Sequence, residues 1–396
     1  MTYAEHRTII DADSHVIELD DFLEKAAREA DLPLLDPMNK QTELPVVQAG
    51  LDRGRELFEK RQSNPETMAK FEDALLDNTK SGWNRLGAFD PSERSHALDL
   101  FGFKMQQWVL PTFAFHQIAH VDSMEQLEAG ARTLNKAMAD FCTDDNRLKA
   151  IGYLPMSIGP EASLKLLNQG FEDGCYSFMI DTNEPDPEKR SFTHPDFDDV
   201  WALFDERNTP IGNHVAANGH YRAVSPSFKN NGKDQIELGG DAPAGEIGLM
   251  NIGVTEQIFL GAMIFDGVFD RHPGLRCLSM EHAAFWLPSW LKSIEFTTAT
   301  FKRRRKFKTL PIDIAHERIK VSPFAGEPVG WIIENVGPDM LVFASDYPHP
   351  EGTADPIRKF EATMQDCSEE VMDKFYYRNM EDLMGLSISS PSRAPD

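Results

Sequence analysis

Eight short apolar runs punctuate the chain, separated by polar, helix-like stretches. They are TIIDAD near Ile9, QQWVLP near Val109, LKAIGYLP near Ile151, CYSFMID near Met179, PIGNHVA near Ile211, LRCLSME near Leu278, RIKVS near Val321 and MLVFASD near Phe343. Their length and flanking polar residues predict strands. Between them lie segments such as SMEQLEAGARTLNKAMADFC and DPIRKFEATMQDC, which predict helices. Strand then helix, repeated, predicts βαβ units and a parallel sheet. Eight units predict an α/β fold of the closed (β/α)8 TIM-barrel type, one domain over 1–396. No G-x-G-x-x-G follows the first run, which argues against a dinucleotide-binding, doubly wound sheet.

Three stretches exceed what a barrel needs: 32–94, 218–248 and 297–330. The first is polar and broken by Pro and Gly; the second is rich in Gly and Asn and directly follows the fifth run. Long insertions in a compact domain are commonly lids, so 32–94 and 218–248 are expected over the C-terminal rim. Trp83 and Phe89 in the first insertion read either as closing a site or as simple packing.

The chain has 396 residues, 41% apolar and 26% charged, enough for a large core. Its net charge of −24 argues against nucleic acid and anionic membrane surfaces as partners. The exception is the basic run KRRRKFK at Lys302–Lys308, which reads as a solvated face or a local anion or subunit contact. Cys142, Cys175, Cys277 and Cys367 are widely spaced and form no CxxC pair, so reduced thiols in a cytoplasmic protein are expected. No signal segment is evident, and no apolar run was expected to approach the roughly 20 residues of a membrane span. A homodimer is the ordinary expectation for such an enzyme.

The barrel reading requires functional groups at strand C-termini. The first strand carries Asp11, Asp13 and His15 at alternate positions, so all three would share one face. The fifth run ends at His214, the sixth at Glu281 and His282, and the eighth at Asp346 with His349 just beyond. Imidazole nitrogens and carboxylate oxygens are the donors a divalent ion such as Zn²⁺ takes, at about 2.0–2.2 Å. Two His and one or two carboxylates leave a position for water or substrate. His282 would then be a spare imidazole, free to move protons. The alternative is a salt-bridged polar barrel mouth without a metal.

These motifs resemble the amidohydrolase-related metal-dependent enzymes, in particular the branch of aminocarboxymuconate semialdehyde and γ-resorcylate-type decarboxylases. The resemblance rests on IIDADSHVIE, LDLFGFKMQQWVLPT, LNKAMADFCTDDNRLKAIGYLPM, HPDFDDVWALFDERNTPIGNHV, GVFDRHPGLRCLSMEHAAFWLP, LVFASDYPHPEG and NMEDLMGL. It implies one divalent metal, Zn²⁺ or Mn²⁺, on Asp13, His15, His214 and Asp346, with His282 as the acid/base. Two departures stand out: Asp13 occupies a position that is commonly His, and Glu281 one that is often Gly. Asp11 is then a structural residue behind the site. Glu281, Trp286 and His349 are expected at the substrate, with Phe285, Tyr347 and Trp83 as an aromatic rim and Arg85 or Arg222 as carboxylate partners.

The implied reaction is non-oxidative decarboxylation of an aromatic or unsaturated carboxylic acid, with His282 or Asp346 supplying the proton. The alternative is hydrolysis of a C–N, C–O or C–C bond by metal-activated water attacking a carbonyl, which would use the same residues. Either way the partner is a small, planar carboxylic acid or carbonyl compound. A barrel that binds without turnover would be expected to have lost a ligand position, and none is lost.

Overall fold

A computed structural model describes residues 2–19, 21–33, 45–75, 84–103, 107–215, 217, 232, 237–238, 244–349 and 352–386. The strands are β1 (His15–Val16), β2 (Gln107–Pro111), β3 (Leu148–Pro155), β4 (Ser177–Asp181), β5 (Ile211–His214), β6 (Glu237–Leu238), β7 (Ala244–Gly245), β8 (Cys277–Met280) and β9 (Ile319–Val321). Seven of them form a parallel sheet in the order β1-β2-β3-β4-β5-β8-β9, while β6 and β7 make a separate antiparallel pair. Strands β2, β4, β5, β8 and β9 are buried throughout. Helices cover a parallel sheet, which is why its strands read as nearly continuous apolar runs.

The eighth expected strand differs from expectation. Leu341 bridges Val321 and Tyr347 bridges Ser14, but no regular strand spans them. The segment still joins both sheet edges. Val342 N–H donates to Val321 (3.1 Å), Ala12 N–H to Phe343 (3.0 Å) and His15 N–H to Tyr347 (2.7 Å). Asp346, at φ +55°, interrupts the extended run. The architecture is α/β with a seven-stranded parallel sheet, consistent with a TIM-type barrel.

The first run also departs from its pattern. Asp11 bridges Gln107, whereas His15 pairs with Leu110, so four steps on one chain oppose three on the other. That extra residue is a bulge, and the simple alternation of Asp11, Asp13 and His15 fails across it.

Packing around β3 and β4 is tight. A Cβ on Gly152 or Gly170 would come within 2.7 or 2.6 Å of the buried Phe178 ring, so only glycine fits at either position. Insertion 32–94 is largely helical where described, with helices Pro45–Ser63 and Pro65–Asp73. Most of insertion 218–248, with Arg222, lies outside the described residues, as does Trp83. The basic run Lys302–Lys306 is exposed, and Cys142, Cys175 and Cys277 are buried free thiols. The membrane-span expectation needs correction. Glu246–Phe265 is long and apolar enough to cross a membrane by length and composition, and 44% of its most apolar window is buried in the fold. A turn after Met250 and the acids Glu246 and Glu256 break up this apolar signal in the sequence.

Candidate metal centre

The bulge sorts the polar residues of the first strand. Asp11 is fully buried and satisfied, accepting from Gln107 Nε2 (2.8 Å), Ser345 N (2.8 Å) and Ser345 Oγ (2.6 Å). Burial pushes its carboxyl up to about 6, against the pull of those donors. Asp13 and His15 are equally buried but face other partners. His15 Nδ1 lies 3.2 Å from the Pro111 carbonyl, so that nitrogen carries the proton and Nε2 keeps its lone pair. Burial, with His349 and His214 nearby, holds the ring well below the usual histidine range, in the neutral form a metal requires. Arg94, on the helix Pro91–Phe101, donates to the His15 carbonyl and to Gly87 O (2.7 Å), bracing this strand end.

The segment entering β1 and the C-terminus of β5 bring Asp13, His15 and His214 together, with ligand-type atoms within 4.8 Å of one another. His15, Asp346 and His349 form a second such group that shares His15. His15 Nε2 is 3.3 Å from Asp13 Oδ1 and 3.8 Å from Asp346 Oδ1. Asp346 is tied to the first strand through its N–H to the Asp13 carbonyl (3.0 Å). His349 stacks on His15 at 3.9 Å, with Nδ1 3.1 Å from Asp346 Oδ1 and Nε2 3.0 Å from Thr112 Oγ1. Sequence reasoning placed His349 at the substrate; here it also stands among the ligand-type atoms.

Glu281, expected to orient His282 or to line the substrate, instead lies with Oε2 3.2 Å from His214 Nε2. Burial opposes protonation of His214, but Glu281 and then Asp13 outweigh it and raise its pKa. Residues 281 and 283 both have positive φ (+56° and +57°), so His282 sits between two backbone positions that are rare for side-chain-bearing residues. His282 is fully buried, with Nδ1 3.1 Å from Ser279 Oγ and 3.8 Å from Glu256 Oε2. Glu256 also accepts from Asn213 Nδ2. The sequence reading missed Glu256. Its signal was a lone acid within the apolar helix Val254–Phe265.

Two more missed carboxylates brace the rim. Glu18 accepts from the N–H groups of Thr112, Phe113 and Ala114 (2.9, 3.0 and 3.4 Å), just beyond β2. Glu327 accepts from those of Ala284, Phe285 and Phe324 (2.9, 2.9 and 2.6 Å), next to His282. Burial pushes each carboxyl up to about 7.

Among the described residues of the expected aromatic rim, Phe285 alone is solvent-facing. Trp286 and Tyr347 are buried, with Trp286 Nε1 donating to the carbonyls of His282 and Ala283 and Tyr347 Oη to Leu86 O. Arg85 is buried beneath the Tyr347 ring, 5.4 Å from its centroid. A cavity of about 540 Å³, lined by Phe22, Phe58, Phe89 and Phe141, includes none of the cluster residues.

The cluster can be tested for fit to a cation on its polar atoms. Both Asp13 oxygens, His15 Nε2 and His214 Nδ1 are buried without a hydrogen bond, while His214 Nε2 meets Glu281 at 3.2 Å. Each such atom costs about 1–3 kcal/mol when left unsatisfied. Burial drives the Asp13 carboxyl well above its usual range, with His214 opposing the shift and Glu281, Asp346 and Asp11 adding to it. A buried carboxylate, the neutral His15 imidazole and the His214 ring converge here, a donor set that suits one divalent ion.

An amidohydrolase of Mycobacterium avium subsp. paratuberculosis K-10 superposes with a TM-score of 0.71 at 19% identity, over 97% of this chain and all of that one. 5-Carboxyvanillate decarboxylase from Novosphingobium aromaticivorans DSM 12444, solved with manganese and 4-hydroxy-3-methoxy-5-nitrobenzoic acid, gives 0.62 at 19% identity, over 97% and 98% of the two chains. A dihydroxybenzoic acid decarboxylase from Polaromonas sp. JS666, solved with manganese and 2-nitroresorcinol, gives 0.58 at 16% identity, over 96% and 97%. At such identities the likeness shows the fold alone. No curated protein matches the sequence. The amidohydrolase family model, however, matches residues 10–386, almost the whole chain, and the protein therefore belongs to the amidohydrolase family.

Proposed function

We propose that this chain is a metal-dependent, non-oxidative decarboxylase of an aromatic carboxylic acid. The observation that carries the metal is the buried set of Asp13, His15 and His214 atoms without hydrogen bonds. We assign Asp13, His15, His214 and Asp346 as ligands of one ion, Zn²⁺ or Mn²⁺; both accept mixed imidazole and carboxylate donors. When bound, that ion supplies the positive charge that receives the substrate carboxylate and a neighbouring hydroxyl.

The chain's own groups then handle the proton. His282 is held through Nδ1 by Ser279, with the Glu256 carboxylate nearby, and this positioned imidazole is the first candidate proton donor. The proton goes to the ring carbon bearing the carboxylate. The C–C bond breaks, its electron pair restores the aromatic ring, and CO₂ leaves. Asp346 is the second candidate proton donor. Glu281, His349 and Phe285 would border the substrate, with Trp286 fixing the His282 loop from behind. Insertions 32–94 and 218–248 would cover the rim of a single closed eight-unit barrel. The free cysteines support a reducing, cytoplasmic setting.

The test is a panel of hydroxybenzoates, amides and lactones offered to Zn- and Mn-loaded protein, monitored for CO₂ and for hydrolysis products. CO₂ release from an ortho-hydroxybenzoate is expected. Hydrolysis without CO₂ release would replace this reading with metal-dependent hydrolysis.

A further inference from the structure

The inner face of the sheet continues from the metal cluster onto β4. A Cβ on Gly212 of β5 would meet Met280 at 3.0 Å and Trp108 at 3.5 Å. Trp108 belongs to β2, which is not a neighbour of β5 in the sheet, so this is the face the curved sheet encloses. Gly212 pairs with Met179 of β4. Two residues further along these strands stand His214 and Asp181, on the same face and at the same level. Phe178 points the other way, with its ring against Gly170 of the helix Pro160–Asp173. Gly152 of β3 faces that ring too, so its successor Tyr153 turns inward.

Tyr153 and Asp181 meet on the inner face. Tyr153 Oη donates to Asp181 Oδ2 (2.6 Å), and Asn183 N–H donates to Asp181 Oδ1 (2.8 Å). Tyr153 is fully buried, while Asp181 keeps 8% of its surface at the strand end. Burial and the Asp181 charge hold the Tyr153 hydroxyl well above its usual range, so it remains a donor. A carboxylate oxygen accepts two hydrogen bonds, so Asp181 can serve Tyr153, Asn183 and a further donor at once. It belongs to neither of the ligand-type groups around His15.

We propose that Asp181 selects the substrate at this centre: it accepts a hydrogen bond from a hydroxyl or amino group on the ring edge turned toward β4, and it repels a second carboxylate there. Tyr153 is its positioning residue. The inference rests on the aromatic-acid reading of the metal centre and narrows it to acids with a single carboxylate. Asp13, Glu281 and Asp346 already stand around His15 and His214. Asp181 adds a fourth carboxylate, and one divalent ion offsets only part of that charge. The ion receives the first carboxylate of the substrate; a second one beside Asp181 would meet like charge in a buried site. A neutral donor would instead gain a hydrogen bond to a charged acceptor. A merely structural pair has no need of the charge, because any acceptor satisfies a tyrosine hydroxyl.

The test is calorimetric binding and CO₂ release on the Mn-loaded full chain. The probes are 2-hydroxybenzoate, the dihydroxybenzoates and aminohydroxybenzoates that retain the 2-hydroxyl, and the corresponding hydroxybenzenedicarboxylates. Wild type is expected to bind at least one doubly substituted monoacid about 10-fold more tightly than 2-hydroxybenzoate, and about 100-fold more tightly than the matching dicarboxylate. Asp181→Asn should keep about one ion per chain and shrink the monoacid-over-dicarboxylate ratio by about 10- to 100-fold. Tyr153→Phe should move the ratio the same way by less. An unchanged ratio in Asp181→Asn would overturn the proposal; should that variant not fold, Tyr153→Phe decides in the same way. A wild type that prefers dicarboxylates or binds none of the acids would also overturn it. So would loss of the ion from Asp181→Asn, which would make Asp181 a ligand. The expected selectivity in binding without CO₂ release would sink the decarboxylase reading alone and support Asp181 as the selector.

Discussion

Glu281 holds its Oε2 3.2 Å from Nε2 of His214, bridging the ends of β5 and β8. The carboxylate raises the pKa of an imidazole that a metal needs in its neutral form. Under the proposed ligand assignment, protons and metal compete for His214, and Glu281 favours the proton. Glu281→Gln should move the midpoint of metal uptake to lower pH while leaving about one ion per chain. Metal titrations across pH check this; a midpoint that moves up would make Glu281 a ligand.

Asp13 gives a sign reversal. Without metal, its buried carboxylate has no hydrogen-bond donor, so Asp13→Asn should stabilise the apo-protein by about 1–3 kcal/mol. With metal, the same change should destabilise, because ligand-linked stabilisation is lost, about 2.7 kcal/mol for an ion present at 100 times its Kd. Thermal melts with and without chelator should cross over between the two proteins.

His282 and Glu256 are predicted to act as a pair. His282→Asn should retain metal and lower kcat by about 10²–10⁴-fold. Glu256→Gln should keep measurable activity and lower kcat with little change in KM, since the carboxylate 3.8 Å from Nδ1 positions the His282 ring. A purely structural role for Glu256 would change stability and leave kcat in place.

Glu327 sets a pH dependence of stability. Burial lifts its carboxyl from 4.5 to about 7. A carboxyl raised on folding adds stability that is complete below pH 4.5 and lost as pH rises through about 7, on the order of 3 kcal/mol. Glu327→Gln should remove that slope. Denaturant titrations between these pH values should give a nearly flat line for the variant where the wild type falls.

Much of this was legible in the chain. Runs near Val109, Ile151, Met179, Ile211, Leu278 and Val321 read as strands because strands covered on both faces must be apolar. His15, His214 and Asp346 could be grouped because a barrel gathers strand ends at one rim. Other features depend on contacts that sequence spacing does not encode. The positive φ of Glu281 accompanies a carboxylate placed at His214, and Glu256 reaches His282 from a helix 26 residues upstream. Glu18 and Glu327 look like ordinary surface acids until the backbone N–H groups they receive are seen. The eighth run was harder still, because its backbone divides its bonds between two neighbours.

The extra residue between Asp11 and Ser14 makes length the guarded property of this segment. A substitution at Ala12 changes one buried methyl group. Deleting Ala12 would remove the offset against Gln107–Leu110, so Asp11 and His15 could no longer keep both of their present partners on β2. Drift along this stretch should therefore proceed by replacement and hardly ever by insertion or deletion.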